Sequence, residues 1–359
     1  MVMGSLLGDA LGTHTEFFNF DAKKQDINQN WDSLIQFIEH NLKMGYIKKQ
    51  RTEFGVHSDD FSMAKCVADS FIENDYNFDP VDMRKRFALW WYFGLNNGFE
   101  GNRSFGLGRE INQGFQKIIN EGKVNKYVID EGKLEQMTDV SGNGSVMRLA
   151  YIPILYREEL EKGEYVAKYH SLTTHSGNEA YDLCGLLTYL CINLLQYPGN
   201  SPQRDIFTTK LKQYKTQIPS IKAFAYSQKE SFNSLKNYNI QFNQNELDRY
   251  WDWKDEKLVV SQTRLNIDAT YFGSYSMDSA YLAMHASYHS KSQVEAIFRA
   301  VNFKGDSDSV ASIVGYITGA MYGLSPEIIK LYNDKCLQYD QFQSLIRAYM
   351  IHYQIKFNK

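Results

Sequence analysis

Apolar residues recur every three to four positions in segment after segment of this chain, and almost nowhere do they alternate. The pattern runs through "FSMAKCVADSFIEN", "DMRKRFALWWYFG", "EAYDLCGLLTYLCINLLQ", "SMDSAYLAMHASYH", "SQVEAIFRAVNF", "SVASIVGYITGAMYG" and "QFQSLIRAYMIHYQ". A period of 3.6 places such side chains on one face of a helix, whereas a strand needs a period of two. Hairpin signals between alternating runs are nearly absent, so an all-α fold is expected. With 359 residues, 43% hydrophobic content and 6 prolines, the chain can bury a sizeable core, and it is read as a single domain over 1–359. Gln196 to Pro219 reads as a loop with a helical piece. The Asn-, Tyr-, Lys- and Trp-rich stretch at about 227–262 is expected to be a peripheral insertion.

The formal net charge is −3 and acids and bases are interspersed, so there is no basic footprint for nucleic acid or for an anionic membrane surface. Apolar runs are broken well before the roughly 18 residues a membrane span needs, and no secretory signal is present. Cys66, Cys184, Cys191 and Cys336 form no C-x-x-C pair and read as small buried hydrophobes. A cytoplasmic, reducing setting fits this usage.

Two acidic clusters stand out against that background. In "FKGDSDSVASIVGYITGAMYG", Asp306 and Asp308 are two residues apart at the head of an apolar helix. Within a helix such residues point to different sides, so they can converge only if the chain there is still a turn. One reading is a helix cap. The other is a hard divalent cation, which prefers carboxylate and hydroxyl oxygens. An EF-hand is excluded, because counting from Asp306 the sixth position is Ala311 and the twelfth is Ile317. Roughly 250 residues earlier, "VHSDDFSMAKCVADSFIEN" repeats the feature with Ser58, Asp59 and Asp60. If the two helix starts face each other, four carboxylates surround one cavity, and one or two Mg²⁺ or Mn²⁺ ions would be the natural occupants.

Other segments are individually weak. Gly4, Gly8 and Gly12, four apart, read as a stripe that lets another helix approach closely. "DVSGNGSVMRLAYIP" could expose backbone amides to a phosphate, or be an ordinary turn. "TTHSGNEAY" places His175 ahead of a helix, where a capping or core role is the default, and "YFGSYSMDSAYLAMHA" adds a Gly/Ser/Tyr loop.

Taken in order, "GDALGTHTEF", "SDDFSMA", "GNGSVMR", "TTHSGNEAY", "SMDSAYLAMHA" and "GDSDSVASIVGYITGAMYG" resemble the ADP-ribosylhydrolase family that includes the dinitrogenase reductase-activating glycohydrolase. The closing segment looks most like the arginine-specific branch. The resemblance implies an all-α, orthogonal helical bundle with a dinuclear Mg²⁺ or Mn²⁺ cleft, and removal of ADP-ribose from protein side chains or small acceptors. It implies Ser58, Asp59, Asp60, Asp306, Asp308 and Ser309 as metal ligands. Gly142, Asn143, Gly144, Ser145, His175, Gly273, Ser274 and Tyr275 match substrate-side segments. Glu16 matches a glutamate that approaches the metals, and Asp60 or Glu16 is expected as general base. Asp9 and Asp278 also match family positions and read as braces of a helix.

The sequence departs from the family pattern at Phe61, where a Thr is usual, at His14, where Pro is frequent, and at Val310 and Ser312. The missing hydroxyl at 61 implies weaker support for the ligands and a slow enzyme that Phe61→Thr would speed up. The partner is expected to be an ADP-ribosylated protein or an ADP-ribose conjugate, and the chain a monomer or a subunit of a larger assembly. The alternatives are a catalytically impaired ADP-ribose-binding or structural member, and a metal phosphoesterase.

Overall fold

Each periodic segment forms a helix. The structure, a computed structural model, describes residues 1–20, 53–99, 104–129, 133–135, 140–197, 203–230, 249–260 and 268–355, with Leu34, Gln36, His40, Lys43, Met44 and Leu265. The elements are α1 (Val2–Gly12), α2 (Asp59–Glu73), α3 (Pro80–Phe93), α4 (Arg109–Glu121), a 3₁₀ turn (Asn143–Ser145), α5 (Ile152–Leu155), α6 (Leu160–Ser171) and α7 (Asn178–Leu195). There follow α8 (Gln203–Gln213), α9 (Pro219–Tyr226), α10 (Ser276–His289), α11 (Gln293–Asn302), α12 (Ser307–Tyr322), α13 (Pro326–Leu331), α14 (Leu337–Asp340) and α15 (Gln343–Tyr353). No strand forms among the described residues, and the fold is all-α.

The most extensive helix contact joins α1 to α12, and every residue of α1 is buried. The glycine stripe makes that contact possible. A Cβ on Gly4 would stand 2.5 Å from the Gly315 carbonyl oxygen, one on Gly8 would overlap the Ala311 carbonyl, and one on Gly12 would lie 2.6 Å from the Asp308 nitrogen. Close approach therefore sets the start of α12, with Asp308, against the end of α1. The chain leaving α1 is sewn to the turn before α12: Phe17 N–H donates to the Gly305 carbonyl at 3.0 Å, and Gly305 N–H to that of Phe18 at 2.9 Å.

The helices α4, α6 and α9 are additional to the seven periodic segments. α4 carries Ile111, Phe115, Ile118 and Ile119 at helical spacing, a period present in the sequence though not among those segments, and α9 spans only eight residues. Of the stretch at 227–262, residues 231–248 and 261–262 lie outside the described residues. Within its described part Trp251 and Trp253 are buried, and Trp253 Nε1–H donates to the Phe224 carbonyl at 2.8 Å. Arg249 donates to Glu230 Oε2 at 2.6 Å, to the Tyr275 hydroxyl at 3.1 Å and to Glu179 Oε1. All four cysteines are buried and unpaired. Among the described residues, no helix is long and apolar enough to cross a membrane.

Candidate active site

In the first acidic cluster the cap is Ser58 and not either aspartate. Ser58 Oγ takes the Asp60 N–H at 3.4 Å, while Asp9, from α1, accepts the Ser58 and Phe61 N–H groups, each at 2.8 Å. The N–H groups of Ser58, Asp60 and Phe61 are thereby satisfied without the carboxylate of Asp59 or Asp60. Asp9 braces the helix start, as the sequence reading had it. Burial, with the Asp308 charge second, raises its carboxyl to about 7 against the opposing pull of those N–H bonds.

The second cluster converges because Asp306 stands outside the helix. Its backbone, at φ −88° and ψ 64°, is non-helical, and its side chain makes no capping bond. Asp306, Asp308 and Glu16 each bring one carboxylate oxygen within 4.8 Å of the others, and so do Asp9, Asp60 and Asp308. Asp308 is common to both groups. Burial first, and the Asp308 charge second, push the Asp60 and Asp306 carboxyls well above the usual carboxylate range. Asp60 is 2% exposed, and its Oδ1 is buried without a hydrogen-bond partner.

Such a set is destabilised by its own repulsion and is all oxygen, which suits a hard divalent cation. The residues fit the Mg²⁺ or Mn²⁺ expectation through Glu16, Asp60, Asp306 and Asp308. Asp9 fits less well, because both its oxygens already accept N–H bonds. Asp59 belongs to neither group of three. It faces the same cavity, packed so closely on Gly106 that a Cβ there would overlap its carboxylate.

The two clusters face one another across a cavity of about 540 Å³, within the range of small-molecule sites. Glu16, Asp59, Asp60, Asp306, Asp308 and Ser309 line it, together with Gly142, Asn143, Gly144, His175 and Ser274. Asn143 ties the parts together: its N–H donates to the Ser274 carbonyl at 2.9 Å, and its Nδ2 to the Gly273 carbonyl at 3.0 Å and to Asp306 Oδ2 at 3.2 Å.

Four expected site residues stand behind the wall. Ser58 bonds to Asp60 Oδ2 at 3.2 Å, and Ser145 is buried, accepting from Ser171 Oγ at 2.8 Å. Gly273 presents its carbonyl to Asn143, and the Tyr275 hydroxyl turns to Glu179 and Arg249. At the departures from the family pattern, the side chains fill the interior. Phe61 is fully buried, edge-on to His57 at 5.5 Å between ring centroids, and His14 stacks on Phe54. Val310 is buried, and Ser312 bonds to Ser5 Oγ at 2.8 Å.

The sequence reading missed the segment Gly106 to Ile111, along with Trp91, Met147 and Tyr271, all of which line the cavity. Glu110 Oε2 accepts the Gly142 N–H at 3.0 Å and lies 3.5 Å from His175 Nε2. The available signal was "GLGRE", a Gly-x-Gly turn running into a charged helix start.

The sequence profile of the ADP-ribosylglycohydrolase family matches residues 1–356. The chain is 24% identical over 327 residues to ADP-ribosylarginine hydrolase Tri1 of Pseudomonas putida, covering 90% of this chain and 70% of that protein. It is 25% identical over 345 residues to the Tri1 of Serratia proteamaculans, covering 96% and 76%. With human ADP-ribosylhydrolase ARH3 it shares 21% identity over 355 residues, covering 96% and 90%. A solved structure titled ADP-ribosylglycohydrolase-related protein complex superposes with a TM-score of 0.63 at 18% identity, covering 98% of this chain and 95% of that one, and shows the same fold. On the family-wide match, this chain belongs to the ADP-ribosylglycohydrolase family.

Proposed function

We propose that the protein hydrolyses the glycosidic bond joining ADP-ribose to a protein side chain, arginine favoured, or to a small acceptor, with two Mg²⁺ or Mn²⁺ ions. One observation carries this reading: two carboxylate groups sharing Asp308 meet at a cavity that is also lined by the Gly142–Asn143–Gly144 turn and His175. Two of the relatives are named for ADP-ribosylarginine, which favours that linkage. The protein is proposed to act in the cytoplasm on an ADP-ribosylated protein or conjugate, as one domain, alone or in an assembly.

Glu16, Asp60, Asp306 and Asp308 would hold the ions, with Asp59 and Ser309 beside them and Ser58 supporting Asp60. Bound there, the ions supply Lewis-acid polarisation and a lowered pKa for water. The chain does the rest. The Gly142 to Gly144 turn and His175 orient the diphosphate, while the buried carboxylates stabilise positive charge developing at the sugar carbon. A general base then removes a proton from the attacking water, at Asp60 Oδ1 or at a Glu16 carboxylate oxygen.

Turnover of ADP-ribosylated arginine, ADP-ribosylated serine and O-acetyl-ADP-ribose with added Mg²⁺ or Mn²⁺ tests the proposal. Release of ADP-ribose from the arginine conjugate is expected. Binding of ADP-ribose without turnover of any of the three selects a binding protein, and phosphate release from phosphoesters selects the phosphoesterase. Glu16→Gln and Asp60→Asn assign the base: the variant that keeps its ion affinity and loses turnover carries it.

A further inference from the structure

Arg148 is 0% exposed, and among the described residues no carboxylate lies within ion-pair distance of it. A buried cation without a counter-charge is expensive, so its hydrogen bonds need a reason. Its Nε–H donates to His170 Nε2 at 2.8 Å, and its Nη2–H donates to Thr174 Oγ1 at 2.7 Å and to Thr173 Oγ1 at 3.4 Å. The guanidinium lies over the Phe87 ring, 4.4 Å from its centroid. Only the Thr174 branch leads to the cavity, because Thr174 Oγ1 is 2.8 Å from His175 Nδ1.

That contact decides where the imidazole proton sits. A guanidinium has no lone pair to offer, so Thr174 Oγ1 must accept from Arg148. Among the described residues the only acceptor within reach of the hydroxyl proton is His175 Nδ1, so Nδ1 is assigned as acceptor and the ring proton to Nε2. The other side of the ring agrees independently. Nε2 lies 3.5 Å from Glu110 Oε2, and a carboxylate only accepts. Nε2 also lies beside the turn, 3.3 Å from where a Cβ on Gly142 would be and 3.2 Å from one on Gly144.

We propose that Arg148, acting through Thr174, holds His175 in its neutral Nε2–H form, so that the proton now facing Glu110 Oε2 is donated to an anionic oxygen of a ligand bound beside the Gly142 to Gly144 turn. Arg148 and Thr174 are positioning residues; His175 makes the contact. Resting on the functional reading above, the anionic oxygen belongs to the diphosphate of ADP-ribose. Burial, and after it the Arg148 charge, lowers the His175 pKa to about 3, so the ring stays neutral near pH 7.

The test is long-range ¹H–¹⁵N correlation on the full chain labelled at histidine, with His175→Gln identifying the signal. It is paired with ADP-ribose titration of wild type, Thr174→Val and Thr174→Ser. The wild type is expected to show the His175 proton on Nε2. Thr174→Val should shift the tautomer balance and weaken ADP-ribose binding about tenfold, the size of a lost hydrogen bond to a charged group, while Thr174→Ser restores both. A wild-type His175 protonated on Nδ1, or in an even mixture, overturns the proposal without any variant having to fold. So does a Thr174→Val protein with an unchanged tautomer. A wild type with the Nε2–H ring that binds no ADP-ribose supports the relay and sinks the functional reading instead.

Discussion

At the scale of single residues, the buried Asp308 is shared by the two groups of acids, so its removal leaves neither complete. Asp308→Ala is expected to abolish Mg²⁺ or Mn²⁺ binding and turnover together, and unchanged affinity by titration calorimetry would count against the metal reading. Phe61 looks different in three dimensions from its appearance in the sequence. The sequence pattern reads it as a missing hydroxyl beside the ligands, but its ring fills the core against His57 and Tyr151, and only its backbone N–H serves the site. Phe61→Thr should therefore cost about 3 to 5 kcal/mol through the cavity it leaves, with no gain in turnover. A denaturant melt and the hydrolysis assay on the same preparation check both halves.

At the scale of elements, the α1–α12 contact is where packing and chemistry meet. The glycines of α1 let the two backbones close up, and that distance sets where Asp308 stands relative to Asp9 and Glu16. Gly8→Ala would push a methyl group into the Ala311 carbonyl, which backbone movement alone can relieve. Overpacking of this kind costs about 1 to 3 kcal/mol. The expected signature is a lower Tm accompanied by weaker ion binding; a variant that melts lower yet binds Mg²⁺ normally would show that the contact does not set the site. The α2 start depends on α1 in the same way, because Asp9 supplies the acceptor for two of its N–H groups. Neither acidic cluster is a property of its own helix alone.

At the scale of the molecule, buried charges make stability depend on pH. Lys65, 2% exposed, lies 3.8 Å from Asp340. Burial lowers its pKa from 10.5 to about 8; Asp340 opposes the shift and Arg347 adds to it. Below pH 8 the folded protein carries the full cost of that cation, roughly 3 kcal/mol at 1.36 kcal/mol per pH unit. Between pH 8 and 10.5 the unfolded chain keeps a proton that the folded chain has released, so stability contributed by this site rises with pH. Wild type should gain on Lys65→Met in Tm as the pH is raised through that window. A Tm difference that stays constant from pH 8 to 10.5 would contradict the assignment.

The sequence by itself determined the fold class, because a 3.6-residue period over seven segments is a local signal that survives without knowledge of neighbours. It also singled out Asp60, Asp306 and Asp308, three of the acids that the fold brings together, since hydroxyl-plus-diacid helix starts are rare enough to be noticed in pairs. It showed the α1 glycine stripe as a packing face. Its blind spots were of two kinds. The period of α4, Ile111, Phe115, Ile118 and Ile119, marks a helix but not what its polar start faces, so Glu110 and the preceding Gly106 went unseen as cavity residues. Side-chain direction was the other: whether Ser145 and Tyr275 face the cavity or the core depends on what lies behind the turn. Only the tertiary structure could supply Ser171 behind the one and the Glu179–Arg249 pair behind the other. Likewise, Asp306 and Asp308 converge because the chain enters α12 through a non-helical residue held by the Phe272 carbonyl and Asn143. The proton on His175 is set by Arg148, 27 residues away in the chain and reached only through Thr174. The common reason is that residue spacing encodes which face of its own helix a side chain occupies, whereas its partner across the core is chosen by packing between distant segments.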